Sequence, residues 1–287
     1  MTVPPAGSPH RRKNALTGEW VTVSPQRTKR PWQGDEADVT EAAGVSYDPD
    51  CYLCPGNTRA NGLVNPDYAG PWAFDNDFPA LFNEIGPNEI GAEKASLDET
   101  RSVDAILDDV VERQKAAAPE SSLFCSEPVS GRCRVLCYSP DHSKTLTKMT
   151  ESELSAVVQL WSDEVRLLRQ QYRWVQVFEN KGAMMGCSNP HPHGQIWAVD
   201  SLPTEAVKES MTQAAWFKAQ GRLLLDQYRT DEEHSGERMV VATEHWSAVV
   251  PYWATWPFET LLLPRRHIDH LDGLTEAEQV DLARILK

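Results

Sequence analysis

Apolar residues recur at helical spacing after Thr150. Thr150 and Glu153 have the spacing of a capping box, in which each side chain bonds the backbone N–H of the other, so a helix is predicted to begin there. One face of this helix is apolar and needs a packing partner. The β-prone runs 174–178 and 195–199 are the candidates, and another strand is predicted at 133–138. The apolar face consists of Leu154, Val157, Val158, Trp161, Val165 and Leu168.

The start of the same pattern recurs near the end of the chain. Residues 259–263 are predicted to form a strand, and Thr275 with Glu278 repeats the capping box. The two segments look like copies of one unit. Because the chain ends at Lys287, inside the second helix, we expect an apolar face without a partner and therefore a C-terminally truncated or alternative form. That face consists of Val280, Leu282, Ile285 and Leu286.

Two stretches carry little predicted regular structure. Residues 1–50 contain a short strand at 19–23, followed by a basic turn that includes Arg27, Lys29 and Arg30. Residues 86–120 are acidic and rich in alanine, which predicts a surface helix or a partly disordered insertion.

The composition narrows the classes of function. With 40% hydrophobic and 24% charged residues, the 287-residue chain is typical of a globular protein. A net charge of -14 argues against nucleic acid, whose binding needs a field of Lys and Arg, but small anions remain possible near Arg27 and Arg30. The longest weakly charged run, 246–258, is shorter than the roughly 18 residues of a membrane span. Residues 1–14 lack the apolar continuation of a signal peptide, so we expect a cytoplasmic protein.

The six cysteines are too few and too unevenly spaced for a disulfide scaffold, so reduced thiols are expected. Cys51 and Cys54, followed by Pro-Gly, have the spacing and softness of half a zinc site. Cys133 and Cys137 are the alternative pair of metal-binding thiols, but their position in and beside a strand favours burial in the hydrophobic core. A thioredoxin-like role of Cys51 and Cys54 is disfavoured because no strand-to-helix setting surrounds them.

The densest group of chemically active residues lies at 180–197. His191 and His193 flank one proline and point to the same side of an extended chain. Such a pair suits two metal ligands, or one ligand and one nucleophile; two buried, hydrogen-bonded histidines are the alternative. The glycines before them, with Ser188 and Asn189, allow backbone amides to approach an anion.

Residues 178–197 resemble the galactose-1-phosphate uridylyltransferase family of the histidine-triad superfamily, and 51–59, 76–81 and 251–264 share the resemblance. The string His-Pro-His-Gly-Gln at 191–195 is its most specific part. The resemblance implies an α+β fold of two histidine-triad-like units with antiparallel sheet and packed helices, the second incomplete. It places an N-terminal domain with metal and nucleophile at 1–200 and the start of a C-terminal domain at 201–287.

The family resemblance implies a ping-pong exchange of UMP between UDP-glucose and galactose 1-phosphate. His193 would be the nucleophile that carries UMP, with its other ring nitrogen held by a backbone carbonyl. A neutral imidazole is both an available nucleophile at pH 7 and a good leaving group, as both half-reactions require. Ser188 and Gln195 would bind the phosphate oxygens.

Further substrate contacts follow from the same resemblance. Asn76 and Asp77 match positions that contact uridine, with Asp77 suited to a pair of ribose hydroxyls; an Asx turn is the alternative for this segment. Asn180 resembles another substrate contact. Arg27 and Arg30 match arginines that reach the site of a neighbouring subunit, so a homodimer is expected.

The resemblance also completes the predicted metal site. His142 and His191 match zinc-ligand positions and would join Cys51 and Cys54 in a set of two thiolates and two imidazoles. Glu209 matches a position that in some members binds a second metal, often iron, together with histidines near the C-terminus. Since this chain offers one of those ligands, we expect Glu209 to be a surface carboxylate.

Two other functions are compatible with the sequence. Another nucleotidyl transferase or hydrolase of the superfamily would use the same histidine with different base or sugar contacts. A truncated, catalytically impaired form would bind zinc and associate with a full-length subunit.

Overall fold

The computed structural model describes residues 7–29, 44–82, 123–187 and 189–287. Arg30, Ser188 and the acidic segment 86–120 therefore lie outside the described residues. In chain order the strands are β1 (His10–Lys13), β2 (Trp20–Val23), β3 (Trp72–Asp75), β4 (Gly131–Cys137), β5 (Trp174–Phe178), β6 (His193–Val199), β7 (Met239–Ala242), β8 (Trp246–Val249) and β9 (Leu261–Pro264). The helices are α1 (Glu151–Leu168), α2 (Thr204–Gln220), α3 (Leu224–Ser235) and α4 (Glu276–Leu286).

The chain divides into two compact units that do not follow its linear order. One comprises Met1–Ala42 and Thr204–His267, and the other comprises Ala43–Pro203 and Ile268–Lys287. We call them the smaller and the larger unit. Both contain antiparallel sheet and helices, which confirms the predicted α+β class. The predicted domain boundary near residue 200 remains a prediction.

The larger unit is built on a four-stranded antiparallel sheet with the order β3-β4-β6-β5. Strand β6 lies in the middle, where Gln195 pairs with Val135 on one side and with Phe178 on the other. His193, the first residue of β6, pairs with Cys137 at the end of β4. The central position of β6 gives the end of the His-Pro-His string a fixed place in the sheet.

Helix α1 begins as the sequence predicts. The side chain of Thr150 accepts from the Glu153 N–H while Glu153 accepts from Thr150, so the capping box is complete. Leu154, Val157 and Val158 are buried on its apolar face. Helix α1 packs against β5, as expected, and also against α4.

Helix α4 corrects the prediction that its apolar face lacks a partner. Its capping box, formed by Thr275 and Glu278, is present, but the helix packs on α1 in the larger unit and buries Leu282 and Ala283. Ser162 of α1 donates to the carbonyl of Leu271 just before α4, at 3.4 Å. The sequence pattern could not reveal this contact because the two helices are far apart along the chain.

The smaller unit holds two antiparallel sheets, β1-β2 and β7-β8-β9, with α2 and α3. Strand β9 confirms the strand predicted at 259–263, shifted toward the C-terminus. It lies in the smaller unit, whereas α4 lies in the larger one, so the predicted strand and helix of a second copy do not share one unit. No helix in the described ranges is long and apolar enough to cross a membrane.

Cys133 and Cys137 are buried, free thiols on β4, as predicted for core residues. Burial raises the pKa of the Cys137 thiol to about 12, so it stays protonated at neutral pH. Cys137 belongs to a core cluster with Leu53, Tyr68 and Phe74, and this cluster includes both cysteines of the Cys-x-x-Cys turn.

Gly194 on β6 has no room for a side chain, because a Cβ there would lie 1.9 Å from the hydroxyl oxygen of buried Tyr138. We expect Gly194→Ala to lower the free energy of unfolding by about 1–3 kcal/mol, as overpacking does. Adding Tyr138→Phe removes the nearest atom and should restore part of the loss. Gly70→Ala is the matched control, since a Cβ at Gly70 meets no atom within 4 Å. Urea unfolding of Gly194→Ala, Tyr138→Phe, the double variant and Gly70→Ala measures this coupling, and additive losses would contradict it.

Candidate metal centre and active site

Four buried side chains from three separate segments meet in the larger unit. Cys51 and Cys54 come from the turn before β3, His142 from the loop after β4, and His191 from the residues just before β6. Their sulfur and nitrogen atoms all lie within 4.8 Å of one another. The structure thus brings together the four metal ligands that the sequence predicts, in a cluster that could hold a metal ion.

Two distances in the cluster match those expected around a tetrahedral ion. Cys54 Sγ lies 3.5 Å from Nδ1 of His142 and 3.6 Å from Nδ1 of His191. Around zinc, bonds of about 2.3 Å to sulfur and about 2.0 Å to nitrogen at tetrahedral angles separate the two atoms by about 3.6 Å. Both histidines therefore present Nδ1 to the centre of the cluster.

Burial sets the protonation states of two of these ligands, His191 and Cys54. Burial, with a smaller contribution from His142, lowers the pKa of His191 to about 4, so its imidazole is neutral and offers a lone pair. Burial raises the pKa of the Cys54 thiol to about 11. A bound divalent cation reverses this effect on the thiol, because it stabilises the thiolate directly. The donor set thus fits a cation that prefers sulfur and nitrogen.

Residues outside the ligand set orient the ligands. Asn189 donates from Nδ2 to Cys51 Sγ at 3.4 Å, and its Oδ1 accepts from the backbone N–H of His191 at 2.9 Å. The Nε2 of His191 donates to the carbonyl of Ser139 at 2.9 Å, which fixes the tautomer with Nδ1 facing the cluster. The hydroxyl of Tyr68 lies 3.1 Å from the same Nε2 and donates to the carbonyl of Leu53.

Two asparagine side chains hold the Cys-x-x-Cys turn. Asn57 donates from Nδ2 to the carbonyls of Asp48 and Cys51, at 2.9 and 2.8 Å. Asn65 donates to the carbonyls of Tyr52 and Cys54, both at 2.9 Å. Sequence reasoning missed both residues, although asparagine close to a candidate metal turn is a signal for bonds of this kind.

His193 lies beside the cluster, half-buried at the start of β6. Its Nδ1 lies 2.7 Å from the carbonyl oxygen of His191. Since a carbonyl can only accept, Nδ1 carries the proton and Nε2 carries the lone pair. The prediction that a backbone carbonyl holds one ring nitrogen of His193 is confirmed. His191 therefore belongs to the cluster through its ring and orients His193 through its backbone.

The other candidate phosphate contacts lie close to His193 along the chain. Gln195 is two residues further on β6, so its half-buried side chain leaves the same face of the sheet. Asn180 is exposed in the preceding loop, in which residues Ala183–Met185 form a single 3-10 turn. Gly182 and Gly186 bound this turn with φ of 86° and 79°, a left-handed backbone that glycine adopts without strain.

Asn76 and Asp77 directly follow β3. Asn76 Oδ1 accepts from the N–H of Phe78 at 2.9 Å, so the Asx turn that the sequence allowed is present. Asp77 pairs with Arg59, with 3.3 Å between Oδ1 and Nη1, and accepts from Asn61 Nδ2 at 2.7 Å. Sequence reasoning missed both partners of Asp77.

Arg27 and Glu209 lie in the smaller unit. Arg27 is exposed in the 3-10 helix Pro25–Lys29. Glu209 is half-buried on α2, where burial and the nearby Glu205 raise the pKa of its carboxyl group. The roles predicted for both residues remain predictions.

The fold is similar to that of a solved uridylyltransferase. It aligns with a solved structure described as a uridylyltransferase at a TM-score of 0.64 and 26% identity, over 96% of this chain and 73% of that one. Family models then describe the N-terminal domain of galactose-1-phosphate uridyl transferase over residues 4–203 and its C-terminal domain over 209–287. The chain belongs to the galactose-1-phosphate uridylyltransferase family.

Individual relatives agree with the family models. The galactose-1-phosphate uridylyltransferase of Haemophilus influenzae is 48% identical over 99% of this chain, and that of Rattus norvegicus is 43% identical over 97%. The chain spans 73% and 66% of the lengths of these two relatives. Since the family models together reach residue 287, they give the predicted truncation no support.

We expect Cys51→Ala to abolish stoichiometric binding of a divalent metal and to lower the melting temperature, because three ligands are left around a buried site. Cys133→Ala is the control, since Cys133 is also buried but lies on β4 outside the cluster. Elemental analysis of the purified proteins, with thermal unfolding, measures both effects. Full metal content in Cys51→Ala, or its loss in Cys133→Ala, would show that the cluster is not the metal site.

Proposed function

We propose that the protein is a UDP-glucose–hexose-1-phosphate uridylyltransferase that exchanges UMP between glucose 1-phosphate and galactose 1-phosphate. The observation that carries this proposal is the hydrogen bond from His193 Nδ1 to the carbonyl of His191, which presents a lone pair on Nε2. The relatives named above bear the name of this activity.

In the first half-reaction, the lone pair on His193 Nε2 attacks the α-phosphorus of UDP-glucose. A P–N bond forms, and the P–O bond to glucose 1-phosphate breaks, so that glucose 1-phosphate leaves with the bonding electrons. Because Nε2 attacks as a lone pair, no base has to remove a proton from it. The imidazole gains positive charge in this step, and the carbonyl of His191 stabilises it through the Nδ1 proton.

In the second half-reaction, a phosphate oxygen of galactose 1-phosphate attacks the phosphorus of the uridylyl-histidine. The new P–O bond gives UDP-galactose, and the electrons of the broken P–N bond return to Nε2. Histidine suits both directions because a neutral imidazole is a good leaving group as well as a nucleophile. The hydrogen bond to His191 keeps the ring in the same orientation for both steps.

The other predicted residues divide between the two ends of the nucleotide. Gln195, Ser188 and Asn180 bind the phosphate and sugar-phosphate groups, where donors aimed at developing charge stabilise the transition state. Asn76 and Asp77 bind the uridine, with the Asp77 carboxylate on the ribose hydroxyls. Arg27 and Arg30 complete the site of the partner subunit in a homodimer.

The metal of the cluster is zinc in this proposal. Two thiolates and two imidazoles at tetrahedral spacing are typical of a structural zinc site. Zinc would supply the positive charge that keeps both cysteines ionised and the turn closed, while Cys51, Cys54, His142 and His191 hold it. The protein acts in the cytoplasm, for which its six free cysteines are suited. The functional domains are 1–200, with metal and nucleophile, and 201–287.

We expect UDP-glucose alone, without a sugar acceptor, to add one UMP to the protein. The adduct should appear in intact-mass spectra at mildly alkaline pH, which preserves the P–N bond, and His193→Ala should abolish it. His234→Ala is the control, because His234 is exposed on α3.

Two results would contradict the proposal. Failure of the folded, metal-loaded wild type to form the adduct would favour the catalytically impaired alternative. An adduct that water releases as UMP faster than galactose 1-phosphate accepts it would favour a hydrolase.

A further inference from the structure

The segment that follows the metal turn forms a small hairpin, residues 57–65. Its two arms are joined by backbone bonds from Asn65 N to Asn57 O at 2.9 Å and from Arg59 N to Leu63 O at 2.8 Å. Gly62 closes the tip with a φ of 85°. The amides of Asn57 and Asn65 at its base hold the Cys-x-x-Cys turn, so the hairpin is continuous with the metal centre.

Arg59 is a buried cation near the tip of the hairpin. Its side chain is 9% exposed, and its guanidinium carbon lies 4.3 Å from the ring centroid of Phe74 on β3. Among the described residues, its ion-pair partner is Asp77, whose side chain is 8% exposed. A buried arginine is costly unless a negative charge compensates it, so Arg59 favours an Asp77 carboxylate held close to it.

Asn61 is held in a fixed orientation. Its Oδ1 accepts from the N–H of Leu63 at 2.9 Å, which turns Nδ2 toward Asp77 Oδ1 at 2.7 Å. Arg59 and Asn61 thus approach the same oxygen of the carboxylate. Within the described part of the chain, both contacts go to Oδ1, and a carboxylate can accept through its second oxygen, Oδ2, as well.

We propose that Arg59 and Asn61 are positioning residues for Asp77: they fix its carboxylate so that Oδ2 accepts from the ribose hydroxyls of the UDP-sugar. The preference for ribose over deoxyribose then depends on the tip of the hairpin. This inference rests on the proposed function, because that function assigns Asp77 to the ribose. Neither residue touches the reacting phosphorus, so both act on binding rather than on the transfer step.

The test measures how fast the UMP adduct forms from UDP-glucose and from its 2′-deoxy analogue, as a function of concentration. For Asn61→Ala we expect the half-saturating concentration of UDP-glucose to rise about tenfold, the loss typical of one hydrogen bond to a charged group. The maximal rate should change less than about twofold. The half-saturating concentration of the deoxy analogue, which keeps one of the two ribose hydroxyls, should rise less than that of UDP-glucose. Asp77→Asn should lose the ribose preference, and adding Asn61→Ala to it should have no further effect.

Two other variants show whether an effect comes from the position of Asp77 or from a loss of the fold. Arg59→Lys keeps the charge but not the planar fork, so it should lose part of the ribose preference. Val64→Ala is the control, because Val64 lies on the same hairpin with its side chain exposed. Metal content, measured for every variant, shows whether the turn stays intact. Since Asn61 is exposed, its variant decides the result if Arg59→Lys does not fold.

The results that would overturn this inference differ from the result that would overturn the proposed function. If the wild type forms no adduct, the proposed function fails. If the wild type forms the adduct but Asn61→Ala keeps the wild-type ratio between the two nucleotides, the positioning role is wrong. A wild type without ribose preference, or an Asp77→Asn variant that retains it, overturns the inference as well.

Discussion

The burial of two thiols and two imidazoles around one point is the constraint on which the larger unit depends. Three segments that are distant in sequence must meet for Cys54 to lie 3.5 and 3.6 Å from the two histidine nitrogens. Burial alone would leave Cys54 and His191 neutral, with pKa values of about 11 and about 4. A cation changes this balance, because it makes thiolates stable in the interior. With a cation bound there, the free energy of metal binding would become part of the stability of this fold.

The metal centre is connected to both ends of the proposed nucleotide site through short, rigid links. Toward the phosphate, His191 is a ligand through its ring and an acceptor for His193 through its carbonyl, so fixing one histidine orients the other. Toward the ribose, the turn continues into the hairpin 57–65, whose tip fixes Asp77. Strand β6 supports the first link because it is paired on both sides. A cluster that does no chemistry itself can in this way set the geometry of the reaction.

Local patterns predicted much of this structure, and contacts between distant segments account for what they missed. The capping boxes at Thr150 and Thr275 and the strand at 174–178 follow from spacing over a few residues, and the structure contains all three. The partner of α4 was not predictable in this way, since α1 lies far away along the chain. Cys51 and Cys54 were predicted from their spacing, whereas the histidine ligands and the proposed role of His193 came from the family resemblance. Tyr68 and Arg59 owe their places beside the cluster and beside Asp77 to tertiary contacts, and nothing in their local sequence distinguishes them from ordinary loop or core residues.

The protonation state of His193 is the most direct test of this arrangement. Long-range proton–nitrogen NMR correlations of the metal-loaded protein, labelled at histidine, distinguish the two ring nitrogens and show which one carries the proton. At neutral pH we expect the proton on Nδ1, bonded to the carbonyl of His191, and an unprotonated Nε2. Removing the metal should weaken this preference, because His191 then loses the ligand bond that fixes it. A proton on Nε2 in the loaded protein would leave no lone pair facing the nucleotide and would contradict both the tautomer and the nucleophilic role.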